Sequence, residues 1–535
     1  MRRWQQLGWF LVLFFTGLLF TLIRPAFVQE APNFTLRLLH TNDHHAHLEP
    51  VKVGEVELGG ITRRQTLVNQ LRTESKAIGE PSLLLSAGDI FQGTLYFNQY
   101  LGKADLDFYN ALGYSVATIG NHEFDKGQQP LADFIAGAKF PIVSANIETT
   151  ATSPLAGKIK PWVVLSVNEQ KIGIFGLTTQ ETAILSNPGA GVTFTDAIAS
   201  AKKAVQDLTA QGVNKIIALT HIGFTQDLEL ARQVAGIDVI IGGHSHTPVG
   251  NILGTTAPYP VVEQTPDKNP VLIVTDWEWG KYLGDLHVVF NPAGELVSWA
   301  GAPHPVEASI TPDAGFQTKL DQYAAPVKAL RQKVIGKSTV MLDGERANVR
   351  TAETNFGNLI ADAILEKTCP DNTQLAIING GGIRASIPAG DVTVGRVLEV
   401  LPFGNTISRL DLTGAQVKQA LENGVSKVEE GGGRFPQVGG LRFVWNPGAA
   451  VGDRIIDLQV RDKDGSYKPI DPNATYRVVT NSFMVTGGDG YSVFTQGKNK
   501  IDTGLLQADA VIDYIVAKSP ITLQVEGRIV KGTQP

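Results

Sequence analysis

Short apolar runs recur from about Phe34 to His287 and alternate with stretches whose apolar residues keep helical spacing. Leu36 to Leu39, Leu83 to Leu85, Val116 to Ile119, Ile216 to Leu219 and Val239 to Ile241 predict strands, whereas Ile61 to Arg72 and Ala197 to Thr209 predict helices. Alternation of this kind predicts α/β layers. Further on, Phe316, Leu320, Tyr323, Val327, Leu330 and Val334 fall three and four residues apart. They predict an amphipathic connecting helix over Thr311 to Val334, with a Ser/Thr-type cap and Pro312 in its first turn. Pro326 is expected to kink or interrupt it, because an interior proline removes a hydrogen bond and clashes with the preceding turn. From Ile335 onward a second set of strand-like and helical segments predicts another domain, and no internal repeat joins the halves.

The extreme N-terminus breaks this pattern. Arg2 and Arg3 precede an apolar run from Leu7 to Ile23. A charged start followed by an apolar core is what the export machinery reads, so residues 1–30 are expected to be a signal peptide or an N-terminal membrane anchor. The run sits at the lower limit for a membrane span, and Arg24, Pro25 and Phe27 offer no small-x-small cleavage site. Export to the periplasm or cell surface is therefore expected, with membrane attachment as an alternative to cleavage.

Length and composition narrow the remainder. A chain of 535 residues is too long for one hydrophobic core, so two domains are expected. With 43% hydrophobic and 18% charged residues it is neither collagen-like, coiled-coil nor largely disordered. The net charge of −6 and the absence of a long basic run argue against nucleic acid as a partner. Cys369, the single cysteine, excludes an intrachain disulfide and cysteine-rich zinc modules.

The strand-like runs end in residues able to bind cations. Leu36 to Leu39 leads into His40-Thr41-Asn42-Asp43-His44-His45, and Leu83 to Leu85 into Ser86-Ala87-Gly88-Asp89. Val116 to Ile119 leads into Gly120-Asn121-His122-Glu123-Phe124-Asp125. Ile216 to Leu219 leads into Thr220-His221, and Val239 to Ile241 into Gly242-Gly243-His244-Ser245-His246. Were these runs neighbours in one sheet, their ends would converge on the edge where open α/β sheets place their ligands. One such motif alone would as readily be a capping aspartate or a surface histidine. Clustering changes the reading: eight of the ten histidines lie in these segments, only His287 and His304 falling outside. His40, His44 and His47 are expected to be bystanders, since an extended segment turns alternate side chains away from any one site. Carboxylate, amide and imidazole donors suit Zn, Mn, Fe or Co. More candidate ligands than one ion needs predict a two-metal site able to polarise phosphoryl oxygens, the chemistry of phosphate-ester hydrolysis.

These motifs resemble the calcineurin-like metallophosphoesterases. Asn379-Gly380-Gly381-Gly382-Ile383-Arg384, Leu401-Pro402-Phe403-Gly404-Asn405 and Thr486-Gly487-Gly488-Asp489-Gly490-Tyr491 are similar to the C-terminal domain of 5'-nucleotidases and bacterial UDP-sugar hydrolases. The likeness runs in order from about residue 34 to 530 and includes Trp279-Gly280-Lys281-Tyr282. It implies a four-layer α/β/β/α domain at 34–305, a connecting helix at 306–334 and a second α/β, nucleotide-binding domain at 335–530. It further implies two divalent ions, Zn, Mn, Co or similar. Asp43, His45, Asp89 and His246 would hold one, and Asp89, Asn121, His221 and His244 the other, with Asp89 bridging. His122 and Asp125 would form a catalytic dyad beside the phosphate. Arg350 and Arg384 would meet the phosphate and sugar region, Asn379 the base and Asp489 the ribose hydroxyls. Phe403 and Phe483 would sandwich the base, with Asn405 beside them. Two departures stand out: Ala46 where many members have glycine, and His246 where some have glutamine or asparagine.

The implied activity is release of the 5'-phosphate from nucleoside monophosphates. UDP-sugar hydrolysis, or 2',3'-cyclic-nucleotide phosphodiesterase and 3'-nucleotidase activity, is the alternative on the same architecture. A surface nucleotide-binding protein without catalysis is a third reading, whose signature would be lost ligands. With metals in one domain and the base clamp in the other, the second domain is expected to rotate relative to the first during turnover. The sequence leaves native metal, preferred base and oligomeric state open.

Overall fold

A computed structural model of the chain describes residues 32–532 apart from 54, 253, 254 and 256. The apolar run at Leu7 to Ile23 lies outside the described residues. Among the described residues, no helix is long and apolar enough to cross a membrane.

Two sheets stack face to face in the N-terminal half. The first runs Leu296–Gly301, Tyr282–Phe290, Phe34–Thr41, Ser82–Ser86, Val116–Thr118, Ile142–Val143, with His304–Pro305 pairing beside Tyr282–Phe290. The second runs Val261–Gln264, Pro270–Val274, Val239–Gly242, Ile216–His221, Gln170–Thr178, Trp162–Val167. Strand periodicity explains the stacking, because successive side chains point to opposite faces. Leu36 and Leu38 meet Ile217, Leu219, Val239 and Ile241 in the layer between the sheets. Their neighbours turn outward: Leu39 packs under the helix Ile61–Ala77, and Ile216, Ala218 and Ile240 under Ala197–Ala210 and Phe224–Gln233. The result is the four-layer α/β/β/α order.

One expectation needs correcting. The five ligand-bearing runs do not share a sheet: three end strands of the first and two end strands of the second. Both sheets are covered on both faces, so their strands read as similar apolar runs and the pattern does not say which sheet each joins. Within each sheet the relevant strands are parallel, so their ends still meet at one edge.

The C-terminal half is built on a five-stranded sheet in the order Pro436–Gly439, Leu375–Asn379, Thr475–Asn481, Thr406–Thr413, Lys498–Leu506. Helices Asn355–Lys367 and Gln507–Lys518 cover one face. Helix Gly414–Gly424 and a four-stranded sheet that includes Leu441–Trp445 and Ile455–Arg461 cover the other.

The connector is a helix over Ala314–Arg331. Its cap is Asp313, whose carboxylate accepts from the Phe316 N–H at 2.9 Å, and not a residue at Thr311. Val334 lies beyond it in the strand Val334–Ser338. Pro326 sits inside the helix without interrupting it. Phe316, Leu320, Ala324 and Val327 are buried, and packing of that stripe offsets the missing N–H. The helix touches Ile61–Ala77 and Leu95–Tyr100 on one side and Val394–Val400 on the other, so it packs against both halves.

A buried ion pair ties the first strand to its antiparallel neighbour. Arg37 Nε and Nη2 donate to the two Asp285 oxygens at 2.7 and 2.6 Å. Burial alone would raise the Asp285 carboxyl, but Arg37 and His304 outweigh it and hold it down to about 2. An unfolded carboxyl titrates near about 4. The pair's contribution is therefore complete above that pH and is lost as pH falls toward 2. Asp285→Asn, which leaves buried Arg37 with only the half-exposed Glu74 carboxylate 3.5 Å away, should cost about 3 kcal/mol at neutral pH. Denaturation of wild type and variant at pH 7 and pH 3 checks this: the gap should narrow at the lower pH.

Candidate metal centre

His221 is the last residue of the strand Ile216–His221, and the other candidate ligands stand in the loops that follow strand ends. Asp43, His45, Asp89, His244 and His246 all adopt positive φ, between 47° and 79°. Residues with a Cβ pay about 1–3 kcal/mol each for this conformation and keep it only where the surroundings over-determine it. Close approach of neighbouring loops is one such surrounding. A Cβ on Gly88 would lie 2.7 Å from the Gly120 nitrogen, and one on Gly120 only 2.1 Å from Asp89 Oδ1. Glu123 supplies another. Its buried carboxylate accepts the backbone N–H groups of Asp89, Ile90, Phe91 and Gly120 at 2.6 to 3.0 Å, so one side chain fixes the ends of two strands.

The donors converge into groups whose ligand atoms lie within 4.8 Å of one another: Asp43, His45 and His246; His45, Asp89 and His122; Asp89, His221 and His244. His221 Nε2 lies 2.9 Å from Asp89 Oδ2, and His246 Nε2 lies 3.2 Å from Asp43 Oδ1. The His244 N–H donates to both Asp43 oxygens at 3.1 Å, and Asn42 Nδ2 to one of them at 2.7 Å. Asn121 Oδ1 is buried and has no hydrogen-bond partner.

Hydrogen bonds on the far side of the rings fix the tautomers. His45 Nδ1 faces the Phe91 carbonyl at 3.2 Å, His221 Nδ1 the Ala87 carbonyl at 2.7 Å, and His246 Nδ1 the Glu278 carboxylate at 2.6 Å. These partners only accept, so each Nδ1 carries a proton and each Nε2 is the atom turned inward. His45 Nε2 and His246 Nε2 stand 3.1 Å apart. Burial works against a second proton on His221 and His246, yet Asp89 holds the His221 imidazole up to about 9, and Asp43 and Glu278 hold that of His246 up. The buried carboxylates thus draw positive charge to these nitrogens, as a proton on Nε2 or as a metal ion that displaces it. The donor set therefore fits divalent metal ions, with imidazole and carboxylate in the mixture that zinc, manganese or cobalt accept. Burial pushes the His45 imidazole down to about 3, which keeps its lone pair free.

His122 is arranged differently. Its Nδ1 lies 2.7 Å from Asp125 Oδ2, and Ser186 Oγ donates to Asp125 Oδ1 at 2.7 Å. Burial works against its cation, yet Asp125 and Asp89 outweigh that and hold the imidazolium up to about 10. His122 is thus a proton-bearing donor fixed by a carboxylate, Asp125, that stands outside the candidate metal groups.

A cavity of about 910 Å³ joins this centre to the C-terminal half. His45, Asp89, Asn121, His122, His244 and His246 line it, and so do Phe403, Asn405 and Phe483. Phe403 and Phe483 remain 46% and 44% exposed, unusual for phenylalanine and suited to stacking on a flat ligand. Arg350, Asn379, Arg384 and Asp489 do not line this cavity. They gather beside it: Asn379 Nδ2 donates to Asp489 Oδ2 at 2.7 Å, and the Arg384 guanidinium lies 5.5 Å from the Phe403 ring centre. Of the expected bystanders, His40 is engaged with Tyr259 and His44 with Arg64, whereas His47, stacked on Trp279, lines the cavity.

Residues 36–248 match the calcineurin-like phosphoesterase family, and residues 334–496 match the 5'-nucleotidase C-terminal domain. A snake venom 5'-nucleotidase of Naja atra is 36% identical over 93% of this chain and 99% of its own length. The chain belongs to the 5'-nucleotidase family. A 5'-nucleotidase precursor of Thermus thermophilus, solved by crystallography, is 47% identical over 94% of this chain and 100% of its own, with a TM-score of 0.62. The trifunctional nucleotide phosphoesterase of Bacillus subtilis is 38% identical over 92% of this chain, which spans only 35% of that longer protein.

Sequence reasoning passed over Glu123, although it lies inside the Gly120 to Asp125 motif; its part depends on loop conformation that the motif does not encode. Ser186 carried no motif at all. Removing the Glu123 carboxylate should orphan four buried N–H groups, so Glu123→Ala should cost about 3 kcal/mol or more. Chemical denaturation in chelator buffer measures the loss, and metal analysis of the same variant should show depleted divalent ions.

Proposed function

We propose that this chain is an exported 5'-nucleotidase that removes the 5'-phosphate of nucleoside monophosphates. The observation that carries the reading is the convergence of imidazole Nε2 atoms on buried carboxylates, in a cavity that also exposes two phenylalanines. On this reading residues 34–305 form the metal-holding domain, 306–334 the connector and 335–530 the substrate domain. Residues 1–30 serve as the export leader or anchor.

Asp43, His45, Asp89 and His246 would hold one divalent ion, and Asp89, Asn121, His221 and His244 a second. Such a pair supplies Lewis acidity toward phosphoryl oxygens and makes a water nucleophile available near neutral pH. The chain's own residues do the rest. His122, charged and oriented by Asp125, donates its Nε2–H to a phosphoryl or leaving oxygen as negative charge develops there. Ser186 holds the second Asp125 oxygen and so keeps the imidazole from turning. Phe403 and Phe483 stack on the base from either face, with Asn405 beside them; stacking tolerates every base, so broad nucleoside specificity follows. Arg350 and Arg384 meet the phosphate and sugar, Asn379 the base and Asp489 the ribose hydroxyls. Since these four stand outside the cavity, productive binding requires the second domain to turn about the connector.

One observation favours a second reading. Gln180, Glu181, Gln226 and Glu229 extend the cavity wall beyond the metal donors, a polar surface suited to the sugar of a diphosphate-linked substrate such as UDP-glucose.

Phosphate release from AMP, UDP-glucose and 2',3'-cyclic AMP, with added Mn, Co or Zn, tests the proposal. AMP should be the best substrate, and chelator should abolish turnover; no release from any of the three would reject it. His122→Ala should lower kcat by roughly 100-fold to 10,000-fold while leaving metal content and nucleotide binding in place. Phe403→Ala should weaken nucleotide binding by about 1–3 kcal/mol, roughly 5-fold to 150-fold in Kd, equally for purine and pyrimidine monophosphates. Titration of the His122→Ala protein with nucleotide, so that no turnover intrudes, provides the measurement.

A further inference from the structure

The segment 277–282, whose Glu278 meets His246, is bound tightly to the metal centre and lines the cavity with Trp277, Glu278 and Trp279. It follows the strand Pro270–Val274, which pairs in parallel with Val239–Gly242 in the register Ile241 to Val274. His246 and Glu278 each follow the end of their strand by four residues, so neighbouring strand ends deliver the two side chains side by side. His246 Nδ1 donates to Glu278 Oε2 at 2.6 Å.

The carboxylate is itself held. Its other oxygen, Oε1, accepts from Lys281 Nζ. Lys281 is only 3% exposed, and its ammonium lies 3.8 Å from the Trp277 ring centre and 4.2 Å from that of Trp279. A lysine this buried needs both a counter-charge and a soft electron-rich surface, and it has them. Trp279 is fixed in turn, stacking on His47 at 4.3 Å and donating its backbone N–H to the Asp43 carbonyl at 2.6 Å. Trp277 and Trp279 both adopt positive φ, 80° and 58°, strain that bulky residues keep only where packing enforces it.

We propose that Glu278, clamped by Lys281 between Trp277 and Trp279, is a positioning residue for His246 and sets the affinity of one of the two cation sites. It fixes the proton on Nδ1, aims Nε2 at Asp43 and His45, and makes that nitrogen a stronger donor. An amide ligand at position 246 would present its oxygen directly and would not need such a partner, so the device belongs with histidine at this position. The site of His221 and His244 lies outside its reach, because His221 makes its outer hydrogen bond to the Ala87 carbonyl.

This inference rests on the two-cation reading above, and the test separates the two. Full-length wild type and Glu278→Gln, both stripped with chelator, are titrated with Mn²⁺ by calorimetry, with metal analysis after dialysis. Glutamine preserves the shape but removes the charge. Wild type should bind two ions. The variant should bind one with the wild-type constant and the other roughly 10-fold to 100-fold more weakly. The same comparison is made in a His246→Gln background, where position 246 has no Nδ1 for Glu278 to hold; there Glu278→Gln should have no further effect. Unchanged affinity at both sites, equal weakening of both, or a full effect in the His246→Gln background would each overturn the inference while leaving the two-cation reading intact. Failure of wild type to take up a second ion would overturn both. Glu278→Gln also takes the counter-charge from buried Lys281, so the stripped variant should melt lower, and by the same amount in the His246→Gln background; a loss of Mn²⁺ affinity that follows this drop in both backgrounds would count for a merely structural role and against a positioning one.

Discussion

Asp43 and Asp89 are carboxylates buried completely or nearly so, a few ångströms from several imidazoles whose inner nitrogens turn toward them. Leaving charge buried without compensation costs more than most folds can meet, so such an arrangement persists only if something positive occupies it when the protein works. The rest of the N-terminal half is organised to keep that demand in place. Parallel strands in two sheets bring their ends to one edge, glycines let the following loops touch, and Glu123 gathers four backbone N–H groups into one carboxylate. Positive φ at five of the seven candidate ligands is the local cost of aiming them all at one point.

Much of this was legible in the sequence because the donors come in short motifs directly after apolar runs. Strand identity, strand ends and donor types could be read locally. Which sheet each strand joins could not, since a run covered on both faces looks the same in either sheet. The connector shows the same division: its buried stripe was readable, but Asp313 outcompetes Thr311 as cap because its carboxylate reaches the Phe316 N–H. The partnership of His246 with Glu278 was invisible for another reason. The two lie 32 positions apart in the chain, and only the pairing of Val239–Gly242 with Pro270–Val274 makes them neighbours.

The halves meet at points where side chains have been pared away. Gly404, beside Phe403, lies against the Trp279 ring, so that a Cβ there would come within 3.3 Å of it. Trp279 thereby touches the aromatic loop of one half while caging the lysine that holds Glu278 in the other. The candidate metal donors and the exposed Phe403 loop are thus linked by one indole, and a change in how the halves sit has a short physical route to His246.

Contact at the dyad is tighter still. A Cβ on Gly504 would lie 1.8 Å from His122 Cε1, so the irregular stretch Asp502 to Gly504 within the strand Lys498–Leu506 rests directly on the imidazole. Asp502 adds its charge to those of Asp125 and Asp89 in favouring the His122 cation. In this arrangement the C-terminal half offers the dyad a bare backbone and a carboxylate, while Arg350 and Arg384 stand away from the cavity. A phosphate beside His122 would meet the carboxylate and not the guanidinium groups, which is the wrong electrostatic partner for an anion. On the proposed reading, the same half must therefore present two faces to His122: the Asp502 strand, which keeps the imidazole charged in the absence of substrate, and the arginine face, which delivers the phosphate to it. The continuous helix Ala314–Arg331, packed against both halves, is the element about which that exchange would have to take place.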